Sequence, residues 1–160
     1  MSDLQLRPYH NDDREGVVSL VNGVYQEYGD EVNLAGADAD LLDIPSFYLA
    51  QGGSFVVLAA DRIVGSHALL PLDPDRNCCT FRRLYLAASQ RGSGCGEQLM
   101  EWAIDLARHQ GYQRVEFWSD TRFTRGHRFF QRCGFQSDGQ NREMDDGLIP
   151  YQEYFFWQDL

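Results

Sequence analysis

The sequence predicts an α/β protein built on one mixed, mostly antiparallel sheet with helices on both faces. Short apolar runs of strand length alternate with segments in which apolar residues recur every three or four positions. Three such runs between residues 54 and 86 are separated only by turns, which is typical of an antiparallel meander. A strand, a helix and a further strand across residues 78–118 then predict a right-handed parallel crossover.

Length and charge limit the class of protein. A chain of 160 residues is long enough for one domain with a real core, so residues 1–160 are predicted to form a single domain. A net charge of −10 argues against a general nucleic-acid binder, whose affinity depends on neutralising phosphates. No run of 18 apolar residues is present, which predicts that nothing spans a membrane.

Cysteine usage and the first residues favour a cytoplasmic protein. The four cysteines show no CxxC spacing, so neither a disulfide framework nor a metal site is predicted. Cys78 and Cys79 are neighbours on a predicted strand and are expected to point to opposite faces. The chain starts without a basic and then apolar leader, and reduced thiols in the cytosol are the simplest interpretation.

The first elements are a strand and a helix. Apolar residues two apart predict a strand over residues 4–9, which Pro8 ends. Asp12 and Glu15 have the spacing of a capping box, and apolar residues then recur at helical spacing up to Gly29. The first helix is therefore expected between residues 11 and 29.

A broken helix and the meander follow. Residues 40–51 have a bulky face interrupted by Pro45, which predicts a kink or a fresh start. Apolar runs bounded by turn residues predict three strands, at residues 54–60, 63–70 and 78–86.

The second half alternates helices and strands. The helix after residue 96 has an apolar stripe and ends at Gly111. A polar, turn-rich stretch at residues 137–147 is interpreted as a mobile loop. The remaining predicted elements are a strand at 112–118, a helix at 124–133, a strand that starts at Phe135 and an aromatic strand at 151–157.

A glycine-rich segment between the strand 78–86 and the following helix is the main functional signal. Glycine has no Cβ, so backbone amides can approach a ligand closely. The first N–H groups of the helix and its dipole favour an anion there, and an arginine can fork onto phosphate. A turn that only connects two elements is the alternative. The predicted phosphate-binding residues are Arg91, Gly92, Ser93, Gly94, Cys95 and Gly96.

The order R-G-x-G-x-G at residues 91–96 resembles the acyl-CoA loop of the GNAT superfamily of N-acetyltransferases, which joins the fourth strand to the third helix. The order of predicted elements resembles that family over nearly the whole chain. The resemblance implies acetyl-CoA as co-substrate, an amine acceptor, and a fourth strand that splays from the fifth. It also implies that the backbone of Leu84, Tyr85 and Leu86 binds the pantetheine arm and the oxyanion. Dimerisation is common in that family, and the last strand is a candidate edge for a homodimer.

The residue that takes the proton of the amine is not at the family's usual place. Many GNAT proteins carry a glutamate just before the Leu-Tyr-Val segment of the fourth strand, where this chain has Arg83. Glu116 is the best substitute by location, Asp120 is next, and His67 is a further candidate. For each of them a purely structural role is the alternative.

The usual proton donor is also absent. The family often carries N-x-x-A-x-x-L-Y-x-x-x-G-F in its fourth helix, and here Phe123 and Phe130 replace the asparagine and the tyrosine. Both rings are predicted to contact the cofactor, but a phenyl ring cannot donate a proton. Tyr151, Tyr154 or water could protonate the leaving thiolate instead.

Two functions remain open from the sequence. An N-acetyltransferase that acts on a primary amine of a small molecule or peptide is the leading one, and a non-catalytic acyl-CoA sensor is the alternative. Four basic residues around the fourth helix either meet a CoA phosphate or form a solvated face. They are Arg122, Arg125, Arg128 and Arg132.

Overall fold

The computed structural model describes residues 3–160, which share a seven-stranded sheet in the order β1-β2-β3-β4-β5-β7-β6. The strands are β1 Gln5–Pro8, β2 Ser54–Ala59, β3 Ile63–Asp73, β4 Cys78–Leu86, β5 Arg114–Asp120, β6 Asn141–Met144 and β7 Tyr151–Asp159. The β4–β5 pair is parallel and the other paired neighbours are antiparallel. The predicted class of fold, a mixed and mostly antiparallel sheet, is confirmed.

Four helices cover the two faces of this sheet. They are α1 Arg14–Gln26, α2 Ile44–Phe47, α3 Cys95–His109 and α4 Thr124–Arg132. The apolar stripe of α3 and Phe130 of α4 bury one face, where Phe117 and Phe156 form the centre of the core. The helices α1 and α2 pack on the opposite face, over the strands β2 to β4.

The second helix is shorter than the predicted element at residues 40–51. Only Ile44–Phe47 is α-helical, and 3-10 turns flank it at Ala39–Leu42 and Leu49–Gln51. The Asp43 carboxylate accepts a hydrogen bond from the Ser46 amide, and proline in the first turn has no N–H to lose there. The break lies at the start of the helix, as the position of Pro45 indicates.

The prediction of a mobile loop at residues 137–147 was wrong. Residues Asn141–Met144 form β6, which pairs with β7 at the edge of the sheet. Both faces of this strand are largely exposed, so its sequence lacks the apolar alternation that identifies a half-buried strand. The strand predicted to start at Phe135 is reduced to an isolated bridge between Gln136 and Trp157.

The four cysteines are unpaired, and Cys78, Cys79 and Cys95 are buried. Burial raises the pKa of Cys78 to about 11 and that of Cys79 to about 12, so both thiols stay protonated at neutral pH.

Among residues 3–160, no helix has both the length and the apolar character needed to cross a bilayer.

Candidate active site

The strands β4 and β5 separate soon after they meet. Their parallel pairing joins Cys78 to Arg114 and Cys79 to Val115, and the register ends there. On its other edge β4 stays paired with β3 as far as Leu86, and β5 stays paired with β7 to its end. The β5-facing edge of β4 therefore carries backbone N–H and C=O groups that no ladder uses.

A bulge accounts for the separation. The β3–β4 register shifts between Ser66 and Ala68, and Arg83 adopts a left-handed φ of 59° at that place. Such an extra residue bends the strand that carries it. The bend also places the side chains of Arg82 and Arg83 on the α1/α2 side, where they contact Phe47 and the carboxylates described below.

The glycine-rich segment lies where β4 leads into α3. Gly92 and Gly94 have φ values of 77° and 87°, and a Cβ on either one would meet no heavy atom within 4 Å. Gly94 directly precedes α3, and its carbonyl accepts the first helical bond, from Gln98. The amides of the first turn have no helical partner and lie beside open space, which suits an anion.

Arg91 faces a carboxylate at the end of α1. Its two terminal nitrogens donate to the two oxygens of Glu27 at 2.6 and 2.7 Å. This bond lowers the pKa of Glu27, and the charge of Arg125 on α4 adds to the effect. Ser93 donates its hydroxyl to the Gln90 carbonyl and stabilises the turn from within.

An aromatic cluster closes the α1 side of the gap between the strands. Tyr85 comes from the open part of β4, and Phe123 follows the end of β5; their ring centres are 6.4 Å apart. Tyr25 of α1 and Tyr28, which follows the end of that helix, pack on the same phenyl ring at 6.3 and 5.0 Å. Phe123 thus packs beside the open part of β4, and its contact with a cofactor stays a prediction.

Phe130 is a core residue. Only 9% of it is exposed, and its ring packs against the rings of Phe117, Phe135 and Phe156. The missing tyrosine hydroxyl therefore corresponds to an apolar position in this chain. These contacts favour packing over the predicted contact with a cofactor.

Arg83 forms the centre of a buried ionic network. Its guanidinium donates to Asp38 at 2.9 Å and to both oxygens of Asp40. Tyr25 donates to Asp38 at 2.9 Å, and Tyr48 donates to Asp40 at 2.5 Å. Burial acts to raise the pKa of Asp40, but the hydrogen bond and charge of Arg83 outweigh it and leave that pKa below its usual value.

Glu116 lies near the point where β4 and β5 still pair. Arg76 donates to both of its oxygens at 3.0 Å, and Arg114 adds a third bond at 2.8 Å. The bond from Arg76 is the main cause of its lowered pKa. A carboxylate held by two arginines is a weak base, so these contacts favour a structural role for Glu116.

Asp120 and Tyr154 lie at the other end of β5. Asp120 accepts bonds from the backbone and side chain of Arg122, whose guanidinium also reaches Asp30. Tyr154 on β7 pairs with Ser119, and its ring centre is 5.7 Å from that of His127 on α4. The three catalytic candidates are therefore not brought together: Glu116 is at the closed end of the gap.

Comparisons with known proteins agree with this geometry. A sequence profile described as the acetyltransferase (GNAT) family matches residues 19–135. The chain belongs to this family. Its members generally use acetyl-CoA as co-substrate and act on amines.

Named relatives and solved structures support the same family. Rat N-acetyltransferase 8F1 is 33% identical over 105 residues, which are 63% of this chain and 48% of that protein. Human N-acetyltransferase 8 is 28% identical over 64% of this chain and 47% of its own length. The chain thus spans about half the length of the curated relatives it matches. An acetyltransferase from Streptococcus agalactiae has a TM-score of 0.85 at 22% identity, covering 98% of both chains. A GNAT acetyltransferase from Staphylococcus aureus has a TM-score of 0.82 at 19% sequence identity, and the match covers 98% of this chain and 99% of that protein.

One wall of the GNAT fold is formed here by two loops that touch. The carbonyl of Asp146, in the β6–β7 connection, accepts bonds from the Ala37 amide at 2.8 Å and the Asn33 side chain at 2.9 Å. Two open pockets of about 490 and 450 Å³ lie on the α1/α2 side, beside Phe47 and beside Val18. Neither is lined by a residue of the glycine loop or of β5.

His67 is fully buried under α3. Its Nδ1 lies 3.0 Å from the Leu99 carbonyl, and burial lowers its pKa to about 4. Its Nε2 has no hydrogen-bond partner within residues 3–160. A neutral imidazole in this position packs against Phe81 and Trp102, which is a scaffold role.

Sequence reasoning missed three residues that the structure links to the open part of β4 or to the end of β5. Asp38 and Tyr25 were hidden because each contacts Arg83 only through tertiary structure, across 45 and 58 residues of chain. His127 precedes Phe130 by three positions, so helical spacing could have placed both on one face of α4. Its ring nitrogen lies 3.2 Å from the Ser119 hydroxyl.

No cluster of His, Cys, Asp and Glu within residues 3–160 has the geometry of a metal site.

The arginines around α4 have different partners. Arg122 is held by Asp120 and Asp30, and Arg132 stacks on Phe129. The charge of Arg125 helps to lower the pKa of Glu27, the carboxylate that pairs with Arg91.

Proposed function

We propose that this protein is an N-acetyltransferase that moves an acetyl group from acetyl-CoA directly to a primary amine of a small molecule or peptide. The observation that carries the proposal is the gap between β4 and β5, which leads straight to an open glycine loop at the start of α3. Membership of the GNAT family supports the same activity.

We assign each part of acetyl-CoA to residues of the glycine loop or of β4. We assign the amides of residues 92–96 to the pyrophosphate, with Arg91 as a cation that must leave Glu27 to reach it. The free edge of Leu84–Leu86 offers amides and carbonyls to the pantetheine arm, and one N–H to the oxyanion. Acetyl-CoA supplies the activated thioester. Phe123 closes the gap beside it.

The leaving thiolate needs little help from the protein. A free thiol has a pKa of about 8.5, so departure as thiolate at neutral pH costs only about 2 kcal/mol more than departure as thiol. Tyr154 of β7, which pairs with Ser119 of β5 and packs beside His127, is the candidate donor. Phe130 cannot serve, because its ring has no proton to give.

The first test measures binding and turnover with one protein preparation. We expect acetyl-CoA to bind in isothermal titration and CoA thiol to be released with at least one amine of a panel that includes spermidine, lysine methyl ester and phenethylamine. Mass spectrometry of the amine identifies the acetylated product. Failure of acetyl-CoA to bind would contradict the proposal at its first step.

A non-catalytic acyl-CoA sensor is the second candidate. Arg83 and Phe130 favour it, because they replace the groups that commonly take and give protons in this family. The same experiment separates the two functions. Binding of acetyl-CoA without thiol release on any amine would support the sensor and contradict the transferase.

A further inference from the structure

The ionic network at Arg83 carries an unbalanced charge. One guanidinium faces two carboxylates, Asp38 and Asp40, which leaves one negative charge in a cluster whose side chains are at most 6% exposed. Asp40 accepts two bonds from Arg83 and one from Tyr48. Asp38 also accepts three bonds, one each from Arg83, Tyr25 and the Asn33 amide, and of the two carboxylates it is the one bonded to Tyr25.

A chain of hydroxyl groups leads from Asp38 to the gap between the strands. Asp38 is 2% exposed, and the hydroxyl of Tyr25 lies 2.9 Å from it. The hydroxyl of Tyr85 lies 3.3 Å from that of Tyr25. Tyr85 belongs to the open part of β4, so the chain of hydroxyls starts on the strand that lines the gap and ends at a buried carboxylate.

The direction of the hydrogen bonds follows from the donors available. Tyr25 has one hydroxyl proton, and Asp38 as a carboxylate can only accept it. Tyr85 must therefore donate to the Tyr25 oxygen. The Arg83 guanidinium also acts on the Tyr85 oxygen, which keeps one further lone pair for a proton from a group in the gap.

We propose that Tyr85 and Tyr25 relay a proton from the acceptor nitrogen to Asp38 as the new amide bond forms. This inference rests on the proposed transferase activity. It names a base for this chain, in which Arg83 stands at the position of the glutamate found in many GNAT proteins. The hydroxyls act as conduits and Asp38 as the site where the proton rests. Arg83 acts as a positioning residue that holds the carboxylate.

The step is balanced in atoms and charge. The neutral amine nitrogen forms a bond to the acetyl carbon, and the carbon–sulfur bond breaks as thiolate leaves. The nitrogen, now strongly acidic, gives one proton to the Tyr85 oxygen; Tyr85 passes its own proton to Tyr25, and Tyr25 passes its own to Asp38. Asp38 and the thiolate then exchange protons with solvent.

The amine that starts this step is already neutral. A primary amine with a pKa of about 10.4 must release its first proton before it reacts at pH 7, and that requirement is common to any such enzyme. The relay is needed for the second proton, whose acidity rises as the bond forms. Positioned acid–base groups of this kind typically contribute 10²–10⁴-fold in rate.

The surroundings of Asp38 support its role as the end of the relay. Burial raises the pKa of both tyrosines, so their hydroxyls stay protonated and pass protons on without holding them as phenolates. The charged and titratable groups that face Asp38 are Arg83 and Tyr85 from β4, Tyr25 from α1 and Asp40 from its own segment. The Asn33 amide also donates to it at 2.8 Å.

The test compares two Tyr→Phe variants of the full chain. Tyr25→Phe removes a hydroxyl from the relay, and Tyr48→Phe removes one that bonds to Asp40 on the far side of Arg83. Single-turnover acetyl transfer to the most active amine of the panel above is measured in H₂O and D₂O. We expect Tyr25→Phe to slow transfer at least about tenfold and to lose the solvent isotope effect of the wild type.

Binding and folding controls accompany these rates. We expect the acetyl-CoA affinity of Tyr25→Phe to stay within about twofold, and Tyr48→Phe to keep the wild-type rate and isotope effect. Tyr85→Phe, which removes the outer hydroxyl, should behave as Tyr25→Phe does and replaces it if that variant fails to fold. Wild-type transfer with equal rates in all three variants would overturn the relay alone. Absence of transfer by the wild type would overturn the relay together with the transferase function.

Discussion

Arg83 shows how one residue can determine both backbone and charge. A left-handed φ costs a residue with a Cβ roughly 1–2 kcal/mol, and a buried guanidinium costs more unless it is paired. Asp38 and Asp40 supply the pairing. The strand bend and the buried carboxylates therefore depend on the same side chain, and losing the family's usual glutamate does not leave the site without a carboxylate.

Glu116 provides a prediction at the residue scale. Because Arg76 and Arg114 hold its carboxylate, Glu116→Gln should lower the free energy of unfolding by on the order of 1 kcal/mol. The pH dependence of turnover should keep the wild-type shape. Urea unfolding and a pH series of initial rates measure the two effects.

The control for that variant is Glu143→Gln, an exposed carboxylate on the edge strand β6. It should change neither stability nor rate. If Glu116→Gln shifted the pH profile while leaving stability intact, Glu116 would be the base that the sequence suggested and the structural interpretation would be wrong.

At the scale of the element, the start of α3 is defined by backbone alone. Gly94→Val should weaken acetyl-CoA binding at least about tenfold, or about 1.4 kcal/mol, because a branched side chain would fill the space beside the helix amides. Isothermal titration measures the affinity.

Gly111→Val is the matched control at the other end of the same helix. Gly111 has a φ of 86° and equally open surroundings, so its substitution brings the same backbone strain without approaching the loop. Equal affinities of the two variants for acetyl-CoA would show that strain, and not a blocked anion site, explains any loss.

The elements that the sequence predicted well are those with a strong local pattern. The apolar stripe of α3 and the run at Cys78–Leu86 were located within about two residues, the usual uncertainty of helix and strand ends. The strand β6 was missed because only its hydrogen bonds to β7 make it a strand. The helix α2 was overestimated because a bulky apolar face continues through 3-10 turns.

For the whole molecule, arginine–carboxylate pairs predict a loss of stability in acid. Hydrogen bonds from arginines are the main cause of the lowered pKa of Asp13, Glu27, Asp73 and Glu116, and Arg83 has the same net effect on Asp40. A folded pKa below the unfolded value means that the unfolded chain binds more protons as pH falls. The stabilisation is complete above the ordinary carboxyl pKa of about 4 and is lost below it.

We therefore expect the urea midpoint to be level between about pH 7 and pH 5 and to fall steeply toward pH 3. Circular dichroism at each pH measures it, and added salt tests how much comes from exposed pairs. A midpoint that is unchanged at pH 3 would contradict the assignment of these pairs to the folded state.

The sequence by itself determined the order of helices and strands, the glycine loop before α3 and the resemblance to a family, because each is written in residues close together in the chain. The tertiary structure alone decided which side chains meet. Arg83 bonds to Asp40, which is 43 residues away in the sequence, and Arg76 bonds to Glu116, which is 40 residues away. Periodicity fixes the face on which a side chain lies, but the register of strands and the bulge in β4 fix its neighbour. For that reason the position of the glycine loop before α3 could be predicted, whereas the carboxylate proposed to receive the proton could not.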